Sequence, residues 1–134
     1  MLLRGRCDAE RGSAVVEFVL VSALVMGLLL AVLQLAVYVH VRNVIAASAQ
    51  EGARYGANAD IDSAAGGERT RVLVTNALSA DTADGLDCSA GEETGEAGLI
   101  LVVVRCTGAV PSLFVPLGDF LRIDATGRAL KEGR

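Results

Sequence analysis

From Phe18 to Val39 the chain carries 22 consecutive residues without a formal charge, and Ser22 and Gln34 are the clearly polar side chains among them. At about 1.5 Å per residue, a helix over this run is roughly 33 Å long, close to the thickness of a bilayer hydrocarbon core. A helix apolar on every face for about six turns needs a far larger partner than the rest of this chain could supply, which argues against a buried soluble helix. The run therefore predicts a membrane-spanning helix over about residues 18–39.

The remainder is small. With 134 residues in all, the segment beyond the helix has roughly ninety residues, enough for one modest domain. The 52% hydrophobic content is concentrated near the N-terminus, so it overstates the core available further on. The aromatic residues are Phe18, Tyr38, Tyr55, Phe114 and Phe120, and two of these lie in or beside the membrane run. A net charge of −4 and a pI near 4.9 exclude nucleic-acid binding as a reading, because phosphate affinity comes from arrays of Lys and Arg.

Arg4, Arg6 and Arg11 precede the apolar run, diluted by Asp8 and Glu10, while His40, Arg42 and Arg54 follow it. The short basic leader favours an N-terminus in the cytoplasm and a tail on the other side of the membrane. Ala47-Ser48-Ala49 fits the small-x-small pattern of a signal-peptide cut, but the apolar region is much longer than that of a cleaved signal. Cys7 has no apolar stretch upstream and does not read as a lipidation site. His40 is the single histidine and sits at a membrane border. No nucleophile–base pair is recognisable, so no catalytic residue, metal or cofactor is expected.

Glu17 stands one position before the uncharged run and follows Ala14-Val15-Val16. A carboxylate at or inside the membrane surface is costly unless paired or at a boundary, which marks it as a functional candidate. The plainer reading is an interfacial carboxylate near the positive end of a helix dipole.

The stretch Gly12-Ser13-Ala14-Val15-Val16-Glu17-Phe18, followed by a long apolar helix, resembles the processing site of type IV pilin-like proteins. In detail it is similar to the TadE-like minor pseudopilins of tight-adherence (Flp) pilus systems. Gln50-Glu51-Gly52-Ala53-Arg54-Tyr55-Gly56-Ala57 also resembles that family's glutamate-glycine-alanine-arginine stretch. Asp8 and Glu10 depart from the family's more strongly basic leader.

The resemblance implies cleavage after Gly12 by a membrane prepilin peptidase, with Ser13 as the new first residue, Glu17 as the fifth and Phe18 in the aromatic place after it. Glycine at the cut lets the backbone enter a narrow cleft. The fifth-position carboxylate is expected to meet the N-terminal amine of a neighbouring subunit, a pairing that offsets the desolvation of both charges. Glu51, Arg54 and Tyr55 become docking candidates. The implied partners are the peptidase, the inner-membrane assembly platform with its ATPase, the major pilin or other minor pseudopilins, and the lipid bilayer.

Beyond the membrane run, Val41, Val44, Ile45, Ser48, Ala49 and Gly52 recur at spacings of three and four, which predicts one face of a helix continuing from about Ala14 to Ala57. Its small residues suit close approach of either the tail or a partner helix. Glu51 and Arg54, three apart, are placed to pair.

In the tail, 58–67 reads as a loop, and Glu68 to about Ala80 as a short helix with Val72, Leu73, Ala77 and Leu78 apolar. Asp81 to Gly98 contains Asp81, Asp84, Asp87, Glu92, Glu93 and Glu96 and no base, which reads as a flexible acidic loop. No EF-hand spacing is present to support a calcium site. Leu99–Cys106 and Phe120–Ala129 are strand candidates, with turns near Gly108, Pro111 and Pro116–Asp119. Two strands need a cover, and the long helix is the available one. If the leader leaves, Cys7 leaves with it, and Cys88 and Cys106 form the possible intramolecular pair. A bridge there suits an oxidising compartment, and two buried thiols are equally compatible with the sequence.

The expected fold is α+β: a pilin-like N-terminal transmembrane helix continuing into a small domain with a short helix and a small antiparallel sheet. The expected organisation is a cytoplasmic leader 1–12, a helix 13–57 and an extracytoplasmic part 58–134 that includes the acidic loop 81–98. By resemblance, the function is that of a structural component for assembly of a Flp-type pilus or related secretion apparatus. The alternative is a membrane-anchored extracytoplasmic ligand-binding module.

Overall fold

The computed structural model describes residues 7–109 and 122–133. The expected turns at Pro111 and Pro116–Asp119, together with Phe114 and Phe120, lie outside them. The element order is α1 (Cys7–Ala57), α2 (Ala65–Ala77), α3 (Ala80–Asp84), β1 (Leu86–Thr94), β2 (Ile100–Ala109) and β3 (Arg122–Leu130), with a 3-10 turn at Glu96–Gly98. The class is α+β, as expected. Two compact units are present, Met1–Ala36 and Val37–Arg134, and α1 contributes to both.

α1 begins before the expected Ala14. No proline interrupts residues 7–14, and the cost of Gly12, about 1 kcal/mol, is small against propagation of a helix already nucleated. In the first unit the described side chains of α1 are almost all exposed, including Phe18, Leu20, Leu24 and Leu28.

The second unit is built on the C-terminal part of α1. Val41, Ile45, Ser48, Ala49, Gly52, Ala53, Gly56 and Ala57 are buried, a stripe at helical spacing. The small-residue face is therefore covered by the chain's own tail. Thr70 of α2 donates from Oγ1 to the carbonyl of Gly66 at 2.8 Å and to that of Ser48 at 3.4 Å. A side chain at Gly52 would meet Thr70 and the Gly66 carbonyl, and one at Gly66 would meet the Gly52 carbonyl at 2.7 Å.

α2 starts at Ala65 rather than Glu68 for the same reason. Gly66 and Gly67 look like loop residues in sequence, but they are buried helix positions that let α2 approach α1 and β1. Val74 is the fully buried apolar residue of α2, whereas Val72 is exposed. The burden of packing thus falls on a residue that lowers helix propensity, and tertiary contact overrides the local preference. Ser79 caps α3, its Oγ accepting from the Thr82 N–H at 3.1 Å.

The acidic segment 81–98, expected as a flexible loop, instead supplies most of α3, all of β1 and the turn that follows. The sheet is antiparallel in the order β1-β2-β3. β1 escaped recognition because its inward set, Leu86, Cys88 and Ala90, is short and mostly small, while its other positions are polar or glycine. Pairing with the valine-rich β2 supplies what local pattern lacks. Cys88 lies opposite Cys106 in this register, and the two form a disulfide with a Cα–Cα separation of 4.1 Å. Across the opposite face, Arg105 pairs with Glu93 at 2.8 Å. Gly108, expected in a turn, lies inside β2, where a side chain would strike Leu86 and the Gly85 carbonyl.

The core-facing residues of the sheet are Leu86, Val102, Val104, Cys106, Ile123 and Ala125. The backbone of β3 comes so close to α1 that a Cβ at Gly127 would collide with the Ala49 carbonyl group. Gln50 clasps β3 beside this contact: its Nε2 donates to the Arg128 carbonyl at 2.7 Å and its Oε1 accepts from the Arg128 N–H at 3.2 Å.

Lys131 closes the C-terminal end of α1. Its Nζ donates to the Gly56 carbonyl at 3.0 Å, the Ile61 carbonyl at 2.9 Å and the Ser63 hydroxyl at 3.0 Å, with a side chain only 18% exposed. A cation there meets carbonyls that have no partner within the helix and the negative end of its dipole. Lys131→Met keeps most of the stem and removes the donors, so it is expected to cost the second unit roughly 2 kcal/mol. Urea-dependent hydrogen exchange at the end of α1 is the measurement.

Candidate functional site

The residues singled out from sequence fall into two groups, one in each unit. In the first, Gly12, Ser13, Val16, Glu17, Leu20 and Val21 share one face of α1, as spacings of three and four require. Ser13 stands one turn before Glu17, and Phe18 projects about 100° around the helix from Glu17. All four candidates are exposed. Among the described residues Glu17 has no ion-pair partner.

Gly12 has nothing within 4 Å of where a Cβ would sit. Glycine costs about 1 kcal/mol relative to alanine inside a helix, and the described fold gives no packing reason for it. Gly27 of the same helix also has open space, and both differ from Gly52, Gly66 and Gly127, each of which is required by a backbone contact.

The second group is the stretch Glu51–Ala57, which divides cleanly between two faces. Gly52, Ala53, Gly56 and Ala57 are buried against the tail, while Glu51, Arg54 and Tyr55 point outward. Glu51 and Arg54 form no ion pair among the described residues. Tyr55 is instead partnered by Arg69 of α2, whose guanidinium lies 5.6 Å from the ring centroid, within cation–π range. The outward face thus combines Glu51, Arg54, Tyr55 and Arg69.

Beside the end of α1 is an open cleft of about 810 Å³. Its walls include Asp60, Asp62, Glu92, Glu132, Leu99 and Ile100, and Lys131 is at its edge. The lysine is engaged by the carbonyls and hydroxyl described above, and the Ser63 hydroxyl donates to Glu92 Oε1 at 2.6 Å. Sequence reading missed this cleft, Gln50 and Lys131. The residues come together only through folding, and no local pattern marks them. The described residues contain no cluster of His, Cys, Asp and Glu suited to holding a metal ion.

Among the described residues one helix is long and apolar enough to cross a membrane, and its apolar window is wholly unburied, which suits a membrane anchor. Comparison with curated proteins and with solved structures found no match. The family model described as "TadE: TadE-like protein" matches residues 12–54. That span begins at Gly12, includes Glu17 and the apolar run, and ends at Arg54, so both groups of candidate residues contribute to it. The family points to a structural component associated with the Tad pilus, with pilus-assembly partners. Over residues 12–54, its N-terminal helix, the chain is similar to TadE-like proteins.

Proposed function

We propose that this protein is a minor pilin-like subunit that is inserted in the cytoplasmic membrane, cut after Gly12 and assembled into a Flp-type pilus or its secretion apparatus. The leader 1–12 lies in the cytoplasm, the helix from Ser13 crosses the bilayer, and the part from residue 58 onward lies outside. Prepilin peptidase removes the leader, the assembly platform and its ATPase receive the subunit, and other pilins or pseudopilins pack against it. The observation that carries the proposal is Gly12. Like Gly27 it weakens a helix that has no packing need for it, and unlike Gly27 it stands where the TadE-like match begins, directly before Ser13.

Glu17 supports the same reading. After cleavage, the Ser13 amine of one subunit and the Glu17 carboxylate of a neighbour supply opposite charges inside or beside the membrane. Each offsets the desolvation of the other. Glu51, Arg54 and Tyr55 supply a further docking face, since the neighbouring glycines and alanines are already occupied by the tail.

Intact-mass measurement of membrane-extracted protein from cells with the peptidase is expected to give an N-terminus at Ser13. An intact leader in such cells would overturn the proposal. Glu17→Ala is expected to leave insertion and cleavage unchanged and to lower incorporation into assembled material about tenfold or more, the factor that corresponds to about 1.4 kcal/mol of lost pairing. Wild-type incorporation of that variant would remove the charge pair from the mechanism.

A further inference from the structure

We propose that the cleft at the end of α1 is the receptor for the Arg54–Tyr55–Arg69 face of a second copy of this chain, making a face-into-cleft contact between neighbouring subunits. This rests on the reading of the protein as an assembling subunit and names one of its contacts.

The cleft has an apolar wall that the fold leaves open: Leu99 is 53% and Ile100 46% exposed. Around it stand Asp60, Asp62, Glu92 and Glu132. Lys131, the cation at the cleft, already donates to the Gly56 and Ile61 carbonyls and to Ser63 and pairs with Glu92 at 3.8 Å, which leaves Asp60, Asp62 and Glu132 as the carboxylates of the rim. Asp60 and Glu132 have no ion pair among the described residues. The site therefore presents a carboxylate rim to an apolar wall, and it suits a cationic segment that carries an aromatic or apolar body.

This chain has such a surface in its second unit. Tyr55 is 39% exposed and is flanked by Arg54 and by the guanidinium of Arg69, and with Glu51 one turn earlier the face carries two cations against one anion. Arginine and tyrosine are the residue types that bring most energy to an interface. Within one copy, this face forms no ion pair with the cleft. Arg54 and Tyr55 lie in the last turn of α1 and the 59–63 wall follows directly in the chain, so both surfaces belong to the same end of that helix.

Charge decides how they meet. Copies inserted in one bilayer share their direction, so they are related by rotation about the bilayer normal. A two-fold contact of the cationic face with itself, or of the acidic cleft with itself, sets like charges together. Face into cleft sets unlike charges together. Such a contact forms twice in a two-fold pair or once at each step of a heterologous array, and in either arrangement unlike charges meet.

The test is a charge exchange on the full chain, labelled with donor and acceptor dyes and reconstituted together in zwitterionic phosphatidylcholine liposomes. Energy transfer is read at low and at moderate salt. Cleft reversal is Asp60→Lys with Glu132→Lys, which spares Glu92 and Lys131. Face reversal is Arg54→Glu with Arg69→Glu. Each variant alone is expected to lose the salt-sensitive transfer, with apparent association at least tenfold weaker. Mixing the two variants is expected to restore it, since each mixed pairing again sets unlike charges together. The background from association of the membrane helices is common to all samples. Retention of the Cys88–Cys106 bridge and of wild-type circular dichroism establishes that the variants are folded. Transfer that ignores both reversals, or folded variants that fail to restore it on mixing, would overturn the inference. Either result leaves the cut after Gly12 and the Glu17 assembly test as they stand, so the two proposals fail separately.

Discussion

Gly127→Val is expected to unfold the second unit or to leave it destabilised by more than about 3 kcal/mol, while Gly91→Ala is expected to change stability by less than about 0.5 kcal/mol. Both glycines are in strands, so backbone propensity does not separate them. At Gly91 an added methyl meets open space, whereas at Gly127 it meets the Ala49 carbonyl group. A helix backbone cannot rotate aside as a side-chain tip does. Relief requires β3 to move away from α1, breaking the Gln50 clasp on Arg128 and opening the core around Ile45, Ala49 and Ile123. Domains of this kind have a total stability of only 5–15 kcal/mol, in round terms about 10, so the loss is a large share of it. Urea-dependent hydrogen exchange of the Val102–Cys106 amides in detergent reads the effect. Wild-type protection in Gly127→Val would show that α1 and β3 are not in contact as described.

Removing the disulfide is expected to cost about 3 kcal/mol by loop-closure entropy. The bridge closes 18 residues of sequence separation and joins β1 to β2 at directly opposed positions. β1 depends on it more than the other strands would, because its residues beyond Leu86 bring little apolar area to the core. The double variant Cys88→Ala, Cys106→Ala avoids placing free thiols or hydroxyls in the interior. Its exchange protection is expected to fall first in β1, with β2 and β3 retaining their mutual pairing at low urea. Equal protection of β1 in the oxidised protein and the double variant would mean that the bridge plays no part in holding the strand.

The parts of this fold that were legible in sequence are those whose physics is local. The uncharged run from Phe18 to Val39 predicts a helix because composition alone dictates it. Val41, Ile45, Ser48, Ala49 and Gly52 mark the inward face of α1 because helical periodicity is a property of nearby residues. β2 and β3 carry enough β-branched content or alternation to be found. β1 was not legible: its place comes from pairing with a strand that follows it in the chain. The start of α2 was missed because Gly66 and Gly67 resemble a loop until the backbones they admit are known.

The candidate site divides in the same way. Gly12, Ser13, Glu17 and Phe18 lie in one seven-residue motif, readable at a glance and within the TadE-like segment. Glu51, Arg54 and Tyr55 were readable as residues, yet which of their neighbours face inward was only partly so. The stacking partner of Tyr55 proved to be Arg69, from a different helix, and not a residue of the same motif. Lys131 was invisible as a functional or structural residue, since its ligands lie about seventy positions away.

By itself, then, the sequence determined a long apolar helix, the Gly12–Phe18 motif at its start and the small-residue stripe further along it, because composition and helical spacing act over a few residues. The tertiary structure alone decided what covers that stripe, that the acidic segment is a helix and a strand, and that an acidic cleft opens beside the end of α1. Those outcomes depend on backbones far apart in the chain coming close enough to exclude a Cβ, and no local pattern encodes such a distance.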